Sequence, residues 1–210
     1  MDVDFWQDRW ESNQIAFHQD EINRFLVSHI GLLNLYKGDR VFVPLCGKTL
    51  DIHWLLKQGF RVIGAELSLI AVEQLFDELQ LSAERIQIGS LIKFSAENIE
   101  VFVGDIFDLA DKELGQIDAI YDRAALVALP EEMRKDYSQH LIKITATAPQ
   151  LLLTFEYDQE KLAGPPFSIP EDFITNYYEN DYSIKEIDRA QLDEGIRDFK
   201  AVQEICWLLK

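Results

Sequence analysis

Residues 40–67 read RVFVPLCGKTLDIHWLLKQGFRVIGAEL, and this stretch decides the fold. Its outer segments, Arg40–Leu45 and Arg61–Leu67, are apolar and rich in β-branched residues, as buried strands are. Between them, Thr49–Gln58 places apolar residues about one helical turn apart, and Gly59 is a typical helix stop. The stretch therefore predicts a strand–helix–strand unit, the building block of a parallel sheet.

The same alternation continues downstream. Ser68 can cap a helix that follows the second strand. Further strands are predicted over Ile99–Val103, Ile117–Tyr121, Leu151–Tyr157, Ser183–Asp188 and Val202–Leu209. Further helices are predicted over Pro130–Thr147 and Pro170–Glu179. Residues 80–98 are polar and weakly patterned, so we expect an insertion there. The order predicts an α/β fold with a doubly wound, mostly parallel sheet. The last two strands lack a crossover helix, which predicts an antiparallel C-terminal edge.

Composition narrows the class of protein. The 210 residues suit a single domain, and a net charge of −17 disfavours binding to phosphate backbones or anionic lipid. We therefore expect neither a nucleic-acid nor a membrane partner. The first residues lack the basic and apolar regions of a secretion signal, and Cys46 and Cys206 form no disulfide framework, which favours a cytoplasmic location. His18 and His53 lack metal-ligand spacing, so we expect no metal.

Residues suited to a nucleoside follow the first two strands. Gly47 lets a ligand approach the backbone at the start of a helix, although Lys48-Thr49 also fits a plain turn in which Thr49 caps the helix. Glu66 ends the second strand nineteen residues later, where a carboxylate can accept both ribose hydroxyls. The alternative is an ordinary acid at a helix N-terminus.

The next two strands also end in polar residues. Asp105, followed by Ile106, could bind an adenine amino group and cover its ring, or Asp105 could simply cap a turn. Arg123 could clamp a carboxylate in two hydrogen bonds, or form a surface pair with Asp122. Four such strand ends suit a nucleoside with a carboxylate tail. S-adenosylmethionine is favoured over NAD because the glycine-rich turn that a pyrophosphate needs is missing.

At these residues the chain resembles the bacterial-type thiopurine S-methyltransferase family. The resemblance is carried by FWQDRW at 5–10 with Phe17-His18, FVPLCGK at 42–48 with Asp51, GAELS at 64–68, DRAALVAL at 122–129 and GPPF at 164–167. It covers most of the chain from Trp6 to about Phe167, and FVPLCGK and DRAALVAL are its most specific words. Residues 80–98 and the last forty or so add little.

The resemblance implies a class I, Rossmann-like methyltransferase with a seven-stranded sheet, formed by residues 1–210 as one domain. It implies S-adenosylmethionine as cofactor and the sulfur of aromatic or heterocyclic thiols as methyl acceptor. Cofactor contacts would come from Trp10, Leu45, Glu66 and Arg123, with Asp105 and Ile106 on the adenine side. Residues 1–30 would close over the site.

The acceptor side is less defined by sequence. The resemblance implies that Trp6 and Phe17 line the acceptor pocket and that Arg197 lies near it. A cation near the acceptor would favour a thiolate, and Arg123 is the first candidate, although it could instead bind the methionine carboxylate. Without the resemblance, Phe5, Trp6 and Trp10 would be read as the packed face of an amphipathic helix.

Three other functions stay open at this point. Members of the family are also associated with methylation of selenium or tellurium compounds, so a chalcogen is a second acceptor class. The chain could bind the cofactor without transferring methyl, or it could be an NAD-dependent oxidoreductase with a degenerate turn. We expect a monomer, since a segment that closes over the site works within one chain.

Overall fold

The structure is a computed structural model that describes residues 3–15, 17–192, 195–197 and 199–210. Of the N-terminal segment 1–30, Met1, Asp2 and Ala16 therefore lie outside the described residues. The strands are β1 (Arg40–Pro44), β2 (Arg61–Glu66), β3 (Glu84–Ile88), β4 (Leu91–Ala96), β5 (Ile99–Val103), β6 (Ala119–Arg123), β7 (Gln150–Glu156), β8 (Ile184–Gln191) and β9 (Gln203–Leu209). The helices are α1 (Val3–Glu11), α2 (Arg24–His29), α3 (Leu50–Gln58), α4 (Leu69–Glu78), α5 (Asp111–Leu114), α6 (Glu131–Ile144) and α7 (Glu171–Tyr178).

The described strands form one sheet in the order β3-β4-β5-β2-β1-β6-β7-β9-β8. Pairing is parallel from β5 through β2, β1 and β6 to β7, and β9 runs antiparallel to both of its neighbours. The predicted α/β class, the mostly parallel doubly wound core and the antiparallel C-terminal strand are confirmed. Winding reverses between β1 and β6, so the carboxyl ends of these two strands border the cleft where such sheets bind ligands.

The sheet is wider than the seven strands that the resemblance implies. Residues 80–98, expected to be an insertion, contain β3 and β4, an antiparallel hairpin that extends the sheet beyond β5. Four of the five β3 residues are exposed, which is why the segment has no clear apolar pattern. β4 buries Leu91 and Phe94, and Leu91 contacts the turn that follows β5: a Cβ added to Gly104 would lie 2.6 Å from its side chain.

Two apolar cores cover the two faces of the sheet. Alternation along β1 sends Phe42 to one face and Val41 and Val43 to the other. Helices α2, α3 and α4 pack on the Val41 face, and α5, α6 and α7 pack on the Phe42 face. The carboxyl ends of the central strands are left between these layers.

Candidate active site

The turn after β1 brings the backbone to the centre of the cleft. Leu45 and Gly47 both have a positive φ (45° and 52°), and this sharp bend leads into α3. Thr49 caps that helix by accepting a hydrogen bond from the Asp51 N–H, as the sequence predicts. Lys48 turns away and pairs with Glu78 at 2.7 Å, so its amine is already engaged.

Glu66 joins the ends of β1 and β2. Its carboxylate accepts the Gly47 N–H at 2.7 Å through Oε2 and the Ser68 N–H at 2.8 Å through Oε1. The residue is only 7% exposed, and burial raises the pKa of its carboxyl, although the backbone hydrogen bonds oppose that shift. Each oxygen receives one protein hydrogen bond and keeps a lone pair, so the carboxylate can still accept two hydroxyls.

Helix α1 places an aromatic cover on this turn. A Cβ added to Gly47 would lie 3.1 Å from the Trp10 ring, so the indole packs directly on the glycine. Phe17 contacts both Trp10 and Trp6 edge to face, with ring centroids 5.5 and 5.6 Å apart. Trp10 is 5% exposed, whereas Trp6 and Phe17 are half-buried. The three rings form the aromatic cover. The closing of residues 1–30 over the site stays a prediction.

At the end of β5 the structure shows a capped turn. The Asp105 carboxylate accepts the Phe107 N–H at 3.0 Å and caps a short 3₁₀ helix over Ile106–Asp108. Ile106 is 1% exposed as a whole residue and packs in the core, and its carbonyl accepts a hydrogen bond from the Leu109 N–H at 3.1 Å. The Gly104 N–H bonds the Glu66 carbonyl at 2.9 Å, which fixes this turn beside the end of β2.

Neighbours Asp122 and Arg123 at the end of β6 point in different directions, as successive strand residues do. Arg123 Nη1 donates to Thr49 Oγ1 at 3.2 Å and lies 3.6 Å from the Asp51 carboxylate. Asp122 is fully buried and accepts the Tyr137 hydroxyl at 2.8 Å and the Leu126 N–H. The alternative of a surface pair between Asp122 and Arg123 is therefore wrong.

Sequence reasoning missed the buried polar network around Asp51. Asp51 accepts the Asn23 N–H at 2.8 Å and the Tyr121 hydroxyl at 2.9 Å, and the Asn23 side chain donates to Glu204 at 3.0 Å. These residues come from four separate parts of the chain. A hint was available, since Tyr121 and Arg123 are two apart on one strand and so share a face.

Arg197, the weakest sequence candidate, contacts the Gly164–Phe167 loop. Its Nη2 donates to the Pro165 carbonyl at 2.8 Å, and the residue is exposed. The Tyr157 hydroxyl donates to the Pro166 carbonyl, and the Phe167 N–H donates to the Val127 carbonyl at 2.7 Å. The loop is thus tied to the segment that follows Arg123, and Arg197 holds it from the outside.

The Cys46 thiol carries no evident chemistry. Burial and the neighbouring Glu66 carboxylate raise the pKa of the Cys46 thiol well above its ordinary value, which disfavours a nucleophilic thiolate.

Within the part of the chain that the structure describes, no cluster of histidine, cysteine and acidic side chains could hold a metal ion. No helix in the same residues is long and apolar enough to cross a membrane.

The residues that line the cleft fit S-adenosylmethionine. The buried Glu66 carboxylate keeps acceptor capacity for ribose hydroxyls, and the Trp10 ring offers a π-face to a sulfonium. The Arg123 guanidinium has one nitrogen engaged at Thr49 and further N–H donors that suit a carboxylate. At the same turn the Lys48 amine, which a phosphate would need, is paired with Glu78.

Comparison with known proteins identifies the family. A model of the family "Thiopurine S-methyltransferase (TPMT)" matches residues 1–207. A thiopurine S-methyltransferase of Xanthobacter autotrophicus is 52% identical over 211 residues, covering 100% of this chain and 99% of that protein. One from Gluconobacter oxydans is 44% identical over 203 residues, covering 97% and 92% of the two chains.

Two solved structures with similar folds are methyltransferases. A SAM-dependent methyltransferase from Anabaena variabilis has a TM-score of 0.69 at 19% identity, covering 99% of this chain and 93% of that one. The magnesium protoporphyrin IX methyltransferase of Synechocystis, solved with bound SAM, has a TM-score of 0.67 at 14% identity, covering 100% and 97%. At these identities the likeness shows the fold, which agrees with the class I expectation. The chain therefore belongs to the thiopurine S-methyltransferase family and is an S-adenosylmethionine-dependent methyltransferase.

Proposed function

We propose that the protein transfers a methyl group from S-adenosylmethionine to the sulfur of an aromatic or heterocyclic thiol. Two relatives named thiopurine S-methyltransferase match it over nearly their full length, which supports the thiol class. An acceptor with a flat ring also suits the aromatic cover, because aromatic rings pack favourably edge to face or offset. The expectations of a monomer and of a cytoplasmic location stay predictions.

The cofactor would lie across the ends of the central strands. S-adenosylmethionine supplies a methyl group already activated by its sulfonium charge. Glu66 would accept the ribose hydroxyls, and Trp10 would cover the sulfonium. The Leu45 backbone bend and the turn at Asp105 and Ile106 would border the adenosine.

The chain would act on the acceptor mainly by positioning. Trp6 and Phe17 would line the acceptor side of the cover and exclude water, which strengthens the electrostatic interactions beneath them. Arg123, with its side chain 10% exposed, is a cation at the carboxyl end of β6, where it can bind a carboxylate or favour a thiolate. Arg197 would act through the Gly164–Phe167 loop that it bonds.

One observation carries this proposal: the buried Glu66 carboxylate bonds the backbone N–H of Gly47, the glycine on which the Trp10 ring packs. A buried acid costs free energy unless it is used or fully paired, and here it sits where parallel sheets bind ribose. This arrangement supports an adenosyl ligand better than it supports a plain helix-capping acid.

The test is a methyl-transfer assay with labelled S-adenosylmethionine. Thiophenol and a thiopurine would be compared with phenol and aniline, which keep the ring but change the accepting atom, and with selenite and tellurite. We expect label on the sulfur compounds at rates at least tenfold above those of the oxygen and nitrogen analogues. Faster transfer to selenite or tellurite would indicate that the acceptor is a selenium or tellurium compound rather than a thiol. Cofactor binding without transfer to any compound would favour the non-catalytic hypothesis.

A further inference from the structure

Asp51 is a buried carboxylate that joins three elements at the edge of the cleft. It lies in the first turn of α3 and is 1% exposed. Its Oδ1 accepts the backbone N–H of Asn23, which precedes α2, and its Oδ2 accepts the hydroxyl of Tyr121 on β6. The same Oδ2 lies 3.6 Å from Arg123 Nη1. The carboxylate therefore contacts the residue that anchors the N-terminal segment and the cation of the cleft at once.

The contacts on Nη1 orient the whole Arg123 guanidinium. Thr49 Oγ1 accepts from this nitrogen at 3.2 Å, and Thr49 itself caps the N–H of Asp51. A guanidinium is planar, so two contacts on one nitrogen restrict the direction of the other donors. Asp51 and Thr49 thus set which way the remaining N–H groups of Arg123 face.

The pairing of Asp51 with Arg123 also has an energetic role. Hydrogen bonds and an opposite charge both reduce the cost of burying a carboxylate. Among the described residues, Arg123 is the cation recorded within 4 Å of it. A second buried acid, Glu204, bonds the Asn23 side chain rather than Arg123. The two acids are similar in burial but differ in whether they contact the guanidinium.

We propose that Asp51 is a positioning residue for the methyl-transfer reaction, holding the Arg123 guanidinium in the orientation that its ligand requires. This inference rests on the proposed function, because it presumes that Arg123 binds either the methionine carboxylate or the acceptor. It adds that Arg123 works only while Asp51 fixes it. The bond from Asn23 further ties this orientation to the base of the N-terminal segment.

The test uses Asp51→Asn in the full chain, which keeps the side-chain shape and an oxygen for the Asn23 N–H but removes the charge. Calorimetry gives the Kd of S-adenosylhomocysteine, and steady-state kinetics with thiophenol give kcat and KM. Arg123→Ala and the double variant complete a thermodynamic cycle. The matched control is Glu204→Gln, which removes a comparably buried charge and keeps an oxygen for Asn23.

We expect Asp51→Asn to change the same parameter as Arg123→Ala, by about tenfold or more, because removing one partner of a buried ion pair is strongly unfavourable. In the Arg123→Ala background the Asp51 change should add less than threefold, and Glu204→Gln should stay within threefold of the unsubstituted protein. Independent, multiplying effects would overturn the proposal, because Asp51 would then not act through Arg123. An equal loss in Glu204→Gln would also overturn it.

Two further outcomes separate this inference from the proposed function. If Arg123→Ala itself changes nothing, Arg123 has no role and both proposals for it fail. If Arg123→Ala is impaired and Asp51→Asn is not, only the positioning role fails. Should Asp51→Asn not fold, Arg123→Lys decides, since lysine keeps the charge beside Asp51 but lacks the planar fork. Loss of function in Arg123→Lys is expected, and unaltered binding and kinetics would contradict the inference.

Discussion

Replacing Glu66 by glutamine tests the ribose site with little change of shape. The carboxylate accepts two backbone N–H groups, at 2.7 and 2.8 Å, and keeps one lone pair on each oxygen. An amide has one accepting oxygen and no charge, so at least one charge-assisted bond to a ribose hydroxyl is lost. Such a bond contributes about 1–3 kcal/mol, which corresponds to a Kd raised about 5- to 150-fold.

The measurement is calorimetric titration with S-adenosylhomocysteine, which needs no acceptor. Glu73→Gln is the matched control, because Glu73 pairs with Arg85 on the surface, and we expect its Kd to be unchanged. Urea unfolding of both variants shows whether Glu66→Gln remains folded. A folded Glu66→Gln protein that binds the ligand with unaltered affinity would refute the placement of the ribose.

Acid pH should reproduce this loss in the unsubstituted protein. Burial raises the pKa of the Glu66 carboxyl, and ribose hydroxyls bind its ionised form. Affinity should therefore be constant above that pKa and fall as the pH drops through it, at a higher pH than an ordinary glutamate would require. Glu66→Gln should lack this dependence, so parallel pH profiles for the two proteins would contradict the assignment.

Three further perturbations follow from the geometry. Gly47→Ala adds a Cβ 3.1 Å from the Trp10 ring at a positive φ, so it should destabilise the protein by about 1 kcal/mol and weaken S-adenosylhomocysteine binding. Gly31→Ala, with nothing within 4 Å of its added Cβ, should leave binding unchanged. Trp10→Ala removes the ring that packs on Gly47. Amide hydrogen exchange should therefore accelerate in α1 while the β1 and β2 amides stay protected. Equal acceleration in all three elements would contradict this, because α1 would then unfold only together with the core. Burial raises the pKa of Asp122 from 3.8 to about 6, so the folded state holds this proton more tightly than the unfolded state does. The free energy of unfolding, measured in urea relative to Asp122→Asn, should fall by about 2 kcal/mol from pH 4 to pH 7, and a flat difference would contradict this.

The central sheet could be predicted because its signals are local. β1, β2 and β7 are continuous apolar runs, and the caps at Thr49 and Ser68 depend on neighbouring residues only. The β3–β4 hairpin could not be predicted, because β3 is an exposed edge strand and its charged residues resemble those of a loop. Edge strands with polar faces bury too little to leave a clear sequence pattern.

The candidate site also has a part that the sequence predicts and a part that it does not. Glu66 and Gly47 were found from strand ends and spacing, since neighbouring parallel strands bring their carboxyl ends together. The partner of Arg123 was not found, because Asp51 lies on another element and meets it only through tertiary packing. The alternative of a surface pair between Asp122 and Arg123 is wrong for a related reason, since chain neighbours on a strand face opposite sides.

The most direct measurement is a crystal structure of the protein with S-adenosylhomocysteine bound. The account predicts the adenosyl group at the carboxyl ends of β1 and β2, with both ribose hydroxyls within hydrogen-bond distance of the Glu66 carboxylate and Trp10 above the sulfur. A ligand seated elsewhere, or a Glu66 carboxylate distant from every sugar oxygen, would contradict it.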